Sequence, residues 1–148
     1  MMKGFTLLEL ILTLVIVGIL AGVAVMAWPG RDIEVGVYAQ RMVSDIRYVQ
    51  LTAMTCEDCE TGAIVIDGNG YEFQLDGVPR SFADGQMGRD IAALGLNVSG
   101  DGVIFDSEFG EPVDSGGTSL TSALSLTLSG TAICIYPRTG YTEIGACS

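Results

Sequence analysis

Hydrophobic residues dominate the beginning of the chain, almost without interruption from residue 5 to residue 28. This stretch reads FTLLELILTLVIVGILAGVAVMAW and follows a short segment, MMKG, that carries one positive charge. About two dozen mostly apolar residues can cross a bilayer as a helix, since roughly 20 suffice. We therefore predict a transmembrane helix over residues 5–28, with the positive charge on its cytoplasmic side.

One ionisable residue, Glu9, interrupts this apolar stretch. A carboxylate at the centre of a bilayer costs about 2.5–3.5 kcal/mol, and an acid inside a membrane segment is therefore a candidate functional residue. Gly18 and Gly22 form a small-xxx-small pair that would let stem helices pack closely. The alternative for these two residues is that glycine is simply common in membrane helices.

A second helical pattern follows the apolar stretch. Residues 28–30, Trp-Pro-Gly, suit an outer membrane interface and a bend, because tryptophan favours the headgroup zone and proline removes a helical hydrogen bond. Over residues 29–55 we predict an amphipathic continuation of the stem helix, since apolar side chains recur there every three or four residues. These apolar positions are Val35, Ala39, Met42, Ile46, Val49 and Ala53. Arg41 and Asp45, four residues apart on another face, are predicted to form a small stabilising pair.

The remaining residues, 56–148, alternate short apolar runs with turn residues, which predicts a β-rich globular domain. A hairpin is predicted where runs at 63–66 and 71–75 flank the turn sequence Asp-Gly-Asn-Gly. Further strands are predicted at residues 103–105, 124–128, 133–136 and 141–144. A long helix followed by antiparallel strands gives an α+β fold.

The segments between these strands are rich in glycine and aspartate. Residues 79–102 are predicted to be mostly loop, with a short helical turn near residues 90–94. Residues 106–117 are predicted to form an acidic loop.

The start of the apolar stretch carries a recognisable motif, GFTLLEL at residues 4–10. It resembles the cleavage site of type IV pilins and type II secretion pseudopilins. The resemblance implies that a prepilin peptidase removes the leader peptide, residues 1–4, by cutting between Gly4 and Phe5. It also implies N-methylation of Phe5 and an apolar stem that stays on the mature protein.

In this family, the glutamate at the position of Glu9 pairs with the N-terminal amine of a neighbouring subunit in the filament. Loss of one partner would leave an uncompensated buried charge, at a cost of about 3–5 kcal/mol. The implied partners are the prepilin peptidase, other major and minor pilins or pseudopilins, and the inner-membrane assembly platform. The implied location is the bacterial inner membrane, with a single pass and a periplasmic C-terminal domain, and then the filament.

The C-terminal half carries a second resemblance. The sequences VIF at residues 103–105, with Gly110 and Pro112, and ICIYPRTGY at residues 133–141 resemble H-type minor pseudopilins and related minor pilins. The start MMKGFTLLEL and the cysteines are also similar to minor pilins of mannose-sensitive-haemagglutinin-type pili. Together these resemblances imply the pilin fold and a structural minor subunit. Pilus, secretion and DNA-uptake systems share this stem, so the choice among them stays open.

Two alternatives compete with this interpretation. In the first, Val-Met-Ala at residues 25–27 ends an ordinary secretory signal, and cleavage after Ala27 releases a soluble, disulfide-containing periplasmic binding domain. The apolar stretch is longer than the usual 7–15 residues or so of such a signal and contains Glu9, which argues against this. In the second, the stretch is a plain membrane anchor that tolerates Glu9 near the interface.

Composition narrows the possible functions. The net charge of −11, which would become −12 if Lys3 left with the leader, disfavours binding to nucleic acid. A small local patch around Arg138 stays open as an exception. The chain has no histidine, so it has no Ser-His or Cys-His pair, and we predict neither an enzyme nor a cofactor.

Four cysteines fit an oxidising compartment and allow three connectivities. We favour the local pairs Cys56–Cys59 and Cys134–Cys147. A redox role for the Cys-Glu-Asp-Cys sequence is disfavoured, because the two acids oppose a thiolate and the pair follows the end of a predicted helix. A four-cysteine zinc site is disfavoured by the spacing of the second pair.

Acidic residues cluster in glycine-rich loops, and such residues can hold calcium, which prefers several oxygen ligands. The residues are Asp101, Asp106, Glu108, Glu111 and Asp114. They lack EF-hand spacing, so we predict a solvated acidic loop and no metal site.

Overall fold

The computed structural model describes residues 6–26 and 31–148 of the chain, which divides into two units, Met1–Ile33 and Glu34–Ser148. In the first unit, helix α1 spans Leu7–Met26. In the described parts of the chain, no helix meets the combined requirement of length and apolar character for crossing a membrane. The transmembrane segment predicted for residues 5–28 therefore stays a prediction.

Helix α2 spans Arg31–Thr55. Its inner face is the one that the periodicity predicts, with Val35 partly buried and the other five positions buried. The buried side chains of this face are Ala39, Met42, Val43, Ile46, Val49 and Ala53. The stripe recurs every three or four residues, which places it on one side of the helix.

The first sheet contains six antiparallel strands. They are β1 (Thr61–Ile66), β2 (Gly70–Leu75), β3 (Val78–Arg80), β4 (Gly88–Asp90), β6 (Val103–Asp106) and β7 (Pro112–Val113). The order is β3-β2-β1-β6-β7, and β4 also pairs with β2. The predicted hairpin is β1–β2, with Ile66 opposite Tyr71. The carboxylate of Asp67 closes its turn by accepting backbone hydrogen bonds from Asn69 and Gly70, at 2.9 and 2.6 Å.

The second sheet contains four antiparallel strands in the order β10-β9-β8-β5. Its strands are β5 (Val98–Ser99), β8 (Leu124–Leu128), β9 (Thr131–Ile135) and β10 (Thr142–Ile144). The strands thus form two sheets. The predicted loop at residues 79–102 is only partly correct, since it contains β4, β5 and most of β3. The short helical turn predicted near residues 90–94 is confirmed as a 3₁₀ turn at Ala92–Leu94. Similarly, the loop at residues 106–117 contains β7.

Both sheets share one hydrophobic core with α2. The core joins residues of α2 to Phe73 and Phe105 of the first sheet and to Leu126 and Ile133 of the second. Close packing is possible at Gly62 in β1, where an added Cβ would lie 2.7 Å from the Cβ of Ala53. The domain is therefore α+β, a helix packed on antiparallel sheets, as predicted and consistent with the pilin fold.

Candidate functional site

The surface of α1 is apolar on all sides. All described side chains from residue 6 to residue 22 are exposed, and the large aliphatic ones among them are between 48% and 78% exposed. A helix that is hydrophobic all round is normally buried, in a protein core or in a membrane. Such a helix calls for an apolar covering, a membrane or other protein.

The beginning of α1 is capped by Thr6. The backbone N–H of Glu9 lies 3.1 Å from the carbonyl oxygen of Thr6 and 3.3 Å from its Oγ1. Glu9 is thus the third helical residue after the cap, in the Thr-x-x-Glu spacing of a capping box. A carboxylate in the first turn is also favoured by the helix dipole. This cap was not predicted, although the threonine three residues before the glutamate signals it.

The side chain of Glu9 is exposed, together with the apolar residues around it. Residues 5–28 contain no lysine or arginine, so the stem itself offers no positive side chain to this carboxylate. A positive partner for this carboxylate on a neighbouring chain stays a prediction.

The other residues predicted for the stem lie in two groups. Gly4 and Phe5, the predicted cleavage and methylation positions, lie outside the described residues, as do residues 28–30. Gly18 and Gly22 are described, and a Cβ added at either would meet nothing within 4 Å. Because they lack side chains, the two glycines leave a shallow depression in the surface of α1. Their role in stem packing stays a prediction.

The four cysteines form two disulfides, Cys56–Cys59 and Cys134–Cys147. These are the local pairings that the sequence analysis favours. The first links two residues of the segment directly after α2, and the second joins β9 to the segment after β10. No thiol is free for redox chemistry or zinc binding in this structure.

A network of charged residues that the sequence analysis did not predict joins α2 to β4. The buried carboxylate of Asp45 accepts hydrogen bonds from the Tyr71 hydroxyl at 2.9 Å and from Nε and Nη2 of Arg89 at 2.9 and 3.1 Å. Asp84 accepts hydrogen bonds from Arg89 at 2.7 Å and Arg41 at 2.5 Å. The predicted Arg41–Asp45 pair is therefore wrong, because Arg41 pairs with Asp84, on the segment between β3 and β4, and Asp45 pairs with Arg89 of β4.

The pKa shifts in this network follow from burial and from contacts between its own members. Burial, followed by the negative charge of Asp45 and its hydrogen bond, raises the pKa of the Tyr71 hydroxyl well above its ordinary value. The hydrogen bond from Arg89 lowers the pKa of the Asp84 carboxyl to about 2. The charged groups thus compensate one another within the fold.

The side chains of Asp106 and Asp114, in the acidic loop, accept hydrogen bonds from backbone N–H groups of neighbouring residues. Asp106 accepts a hydrogen bond from the N–H of Glu111 at 2.6 Å, and Asp114 accepts two, at 2.9 Å each, from Gly116 and Thr118. Across the described residues, the acids do not form a group that could hold a metal ion.

Comparison with known protein families gives a match for the N-terminal segment. The family model described as the prokaryotic N-terminal methylation motif matches residues 1–25. No curated protein and no solved structure matches the chain. The motif supports a type IV pilin-like or pseudopilin protein and a substrate of the prepilin peptidase.

Proposed function

We propose that the chain is a minor subunit of a type IV pilus or a type II secretion pseudopilus. The prepilin peptidase cuts between Gly4 and Phe5, and the new N-terminus at Phe5 is methylated. Residues 5–28 hold the chain in the bacterial inner membrane, with its domain in the periplasm. With the inner-membrane assembly platform, the chain then enters a filament of major and minor pilins or pseudopilins, where its role is structural.

The observation that carries this proposal is the exposed carboxylate of Glu9 on an otherwise apolar helix. Covering α1 with other stems would bury this charge, and an uncompensated buried charge costs about 3–5 kcal/mol. The amine of a neighbouring subunit would supply the missing positive charge. Glu9 follows Phe5 by four residues, about one helical turn, so the carboxylate and a new amine at Phe5 would lie at the same end of the stem.

Retention of Glu9 also bears on the position of the subunit in the filament. A subunit at the very tip has no further amine to meet on its tip side. We therefore propose that another subunit is placed on the tip side of this one.

Mass spectrometry of the mature N-terminus tests the processing step. The proposal expects a chain that begins with methylated Phe5. A chain that begins at Trp28 would instead support a secreted, disulfide-containing binding domain and would overturn the proposal.

Variants at Glu9 and Thr6 separate assembly from helix capping. Glu9→Gln keeps a capping-box residue but removes the charge, so we expect normal membrane insertion and loss of the chain from sheared filaments. Thr6→Ala removes the cap, at about 1 kcal/mol, but keeps the carboxylate and should allow incorporation. Thr13→Ala, at a second polar position on α1, is the control for altering the stem. Normal incorporation of Glu9→Gln would contradict the proposed role of Glu9.

A further inference from the structure

The turn between β1 and β2 contains an asparagine followed by a glycine, Asn69–Gly70. In such a pair the backbone nitrogen of the glycine can attack the side-chain amide carbon of the asparagine, because glycine has no Cβ to hinder the approach. Asn69 is exposed, and within the described part of the chain its side-chain amide forms no hydrogen bond. This side chain is therefore free to rotate towards the nitrogen of Gly70.

The attacking nitrogen is held in place by Asp67. The N–H of Gly70 donates a 2.6 Å hydrogen bond to the Asp67 carboxylate, and the N–H of Asp67 donates to the carbonyl of Gly70 at 3.0 Å. Gly70 is also packed closely, since an added Cβ would lie 1.7 Å from the carbonyl oxygen of Arg89. A carboxylate is a weak base beside an amide anion, so this contact restrains the nitrogen and does not activate it.

The main chain of Asn69 anchors the segment that follows β4. Its carbonyl accepts hydrogen bonds from the N–H groups of Ile91 and Ala92, at 3.1 and 2.9 Å. These bonds attach the start of the 3₁₀ turn to the hairpin. Strand β4 runs directly into this turn, and its Arg89 lies opposite Tyr71 of β2. A change in the main chain at Asn69 therefore reaches the segment that carries Arg89.

We propose that Asn69 is a site of spontaneous deamidation, that Asp67 restrains the reaction in the folded chain, and that the isoaspartate product detaches the 3₁₀ turn. The nitrogen of Gly70 forms a bond to Cγ of Asn69, the bond from Cγ to the amide nitrogen breaks, and ammonia leaves with the proton of the Gly70 N–H. Water then opens the resulting five-membered succinimide. Addition at Cγ gives aspartate, and addition at the backbone carbonyl carbon gives isoaspartate. The reaction consumes one water, releases one ammonia and involves no oxidation or reduction.

The two products differ in their effect on the hairpin. Aspartate leaves the main chain unchanged. Isoaspartate adds a methylene group to the main chain and turns the former carbonyl of residue 69 into a free carboxylate on a side branch. The acceptor for Ile91 and Ala92 thus loses its place in the turn only in the isoaspartate form. None of these steps requires a membrane or a filament, so this inference is independent of the proposed function.

The chain contains its own comparison for this reaction, because it has two asparagines, Asn69 and Asn97. Asn97 precedes Val98, whose branched side chain hinders closure of the ring. Its side-chain oxygen also accepts a 3.1 Å hydrogen bond from the hydroxyl of Ser129. We therefore expect conversion at Asn69 and not at Asn97.

Peptide mapping by mass spectrometry measures the conversion. The full chain in detergent is incubated in mildly alkaline buffer and then digested with trypsin. Asn69 is the only asparagine between Arg47 and Arg80, so the mass difference between amide and acid in this peptide reports on it alone. An absence of conversion at Asn69 would overturn the assignment of the site.

Two variants test the restraint. Asp67→Ala removes a hydrogen bond to a charged acceptor, so we expect conversion at Asn69 to be at least about tenfold faster. Cys134→Ala/Cys147→Ala weakens the domain in the second sheet but leaves the turn intact, and its rate should stay within about twofold of the natural one. A rate in Asp67→Ala no higher than the natural one, or equal acceleration in both variants, would overturn the restraint by Asp67.

Amide hydrogen exchange tests the effect of the product. Ion-exchange chromatography separates the isoaspartate form, and Asn69→Asp is the matched control, with the same charge and an intact main chain. We expect the Ile91 and Ala92 N–H groups to exchange at least about tenfold faster in the isoaspartate form and at the natural rate in Asn69→Asp. Equal protection of these two groups in both forms would overturn the proposed detachment.

Discussion

Arg89 and Asp45 form a two-point contact, in which Nε and Nη2 of the arginine lie 2.9 and 3.1 Å from the two carboxylate oxygens. Both side chains are nearly buried, with 9% and 12% of their surfaces exposed. Arg89 also lies over the ring of Phe82, 4.5 Å from its centre. The contact fastens β4 and the segment before it to α2.

Replacing Asp45 with alanine should destabilise the domain strongly. Arg89 would lose one of its two carboxylate partners while staying buried, so we expect a loss of about 3 kcal/mol in the free energy of unfolding. Urea unfolding of the full chain in detergent, followed by near-ultraviolet circular dichroism, measures it. Glu34→Ala, which removes an exposed carboxylate from the same helix, should cost less than about 0.5 kcal/mol. Equal effects of the two variants would show that the contact does not stabilise the fold.

Stability should fall in acid through Asp84. The hydrogen bond from Arg89 holds the pKa of this carboxyl at about 2 in the folded state, against an ordinary value of 3.8. Because the folded pKa is the lower one, the stabilisation is present above about pH 4 and is lost as the pH falls towards 2. The urea midpoint measured from pH 5 to pH 2 should fall less steeply in Asp84→Asn than in the natural protein. Parallel curves would contradict this assignment.

Stability should also fall in alkali through Tyr71. Burial and the neighbouring Asp45 raise the pKa of its hydroxyl above the ordinary value of 10.0. Because the folded pKa is the higher one, the native state retains this proton where the unfolded chain loses it, and stability declines as the pH rises above 10. Tyr71→Phe should remove this part of the decline, which unfolding curves between pH 9 and pH 11 would show. Tyr141→Phe, at an exposed tyrosine, is the control and should leave the decline in place.

The two disulfides should contribute unequally to stability. Cys134 and Cys147 are 13 residues apart, whereas Cys56 and Cys59 are 3 apart. A bridge that closes a loop of roughly 15 residues stabilises by about 3 kcal/mol through the unfolded state, and a shorter loop gives less. Urea midpoints of the Cys134→Ala/Cys147→Ala and Cys56→Ala/Cys59→Ala variants measure the difference. A larger loss in the second variant would refute the loop-length argument.

Sequence patterns predicted the parts of this fold that are specified locally. The stripe from Ala39 to Ala53 defined the inner face of α2 because a helix repeats its faces within a few residues. The β1–β2 hairpin was predictable because Asp67 begins a turn whose chemistry is contained in four residues. The motif of the stem, with Glu9, was likewise recognisable from a short segment.

The parts that depend on distant partners were not predictable in this way. Strands β4 and β7 have two or three residues and no alternation of their own, and pairing with β2 and β6 creates them. The partner of Asp45 is 44 residues away, so helical spacing suggested Arg41 instead. Gln50 likewise joins two turns that are far apart in the sequence, through the carbonyls of Gly110 and Thr139.

The threonine that starts α1 lies within the part of the chain that leader removal would keep. Its hydroxyl and carbonyl both meet the N–H of Glu9, so this cap would stay on the mature chain. Maturation at Gly4 would thus expose a fresh positive terminus without unwinding the helix beneath it.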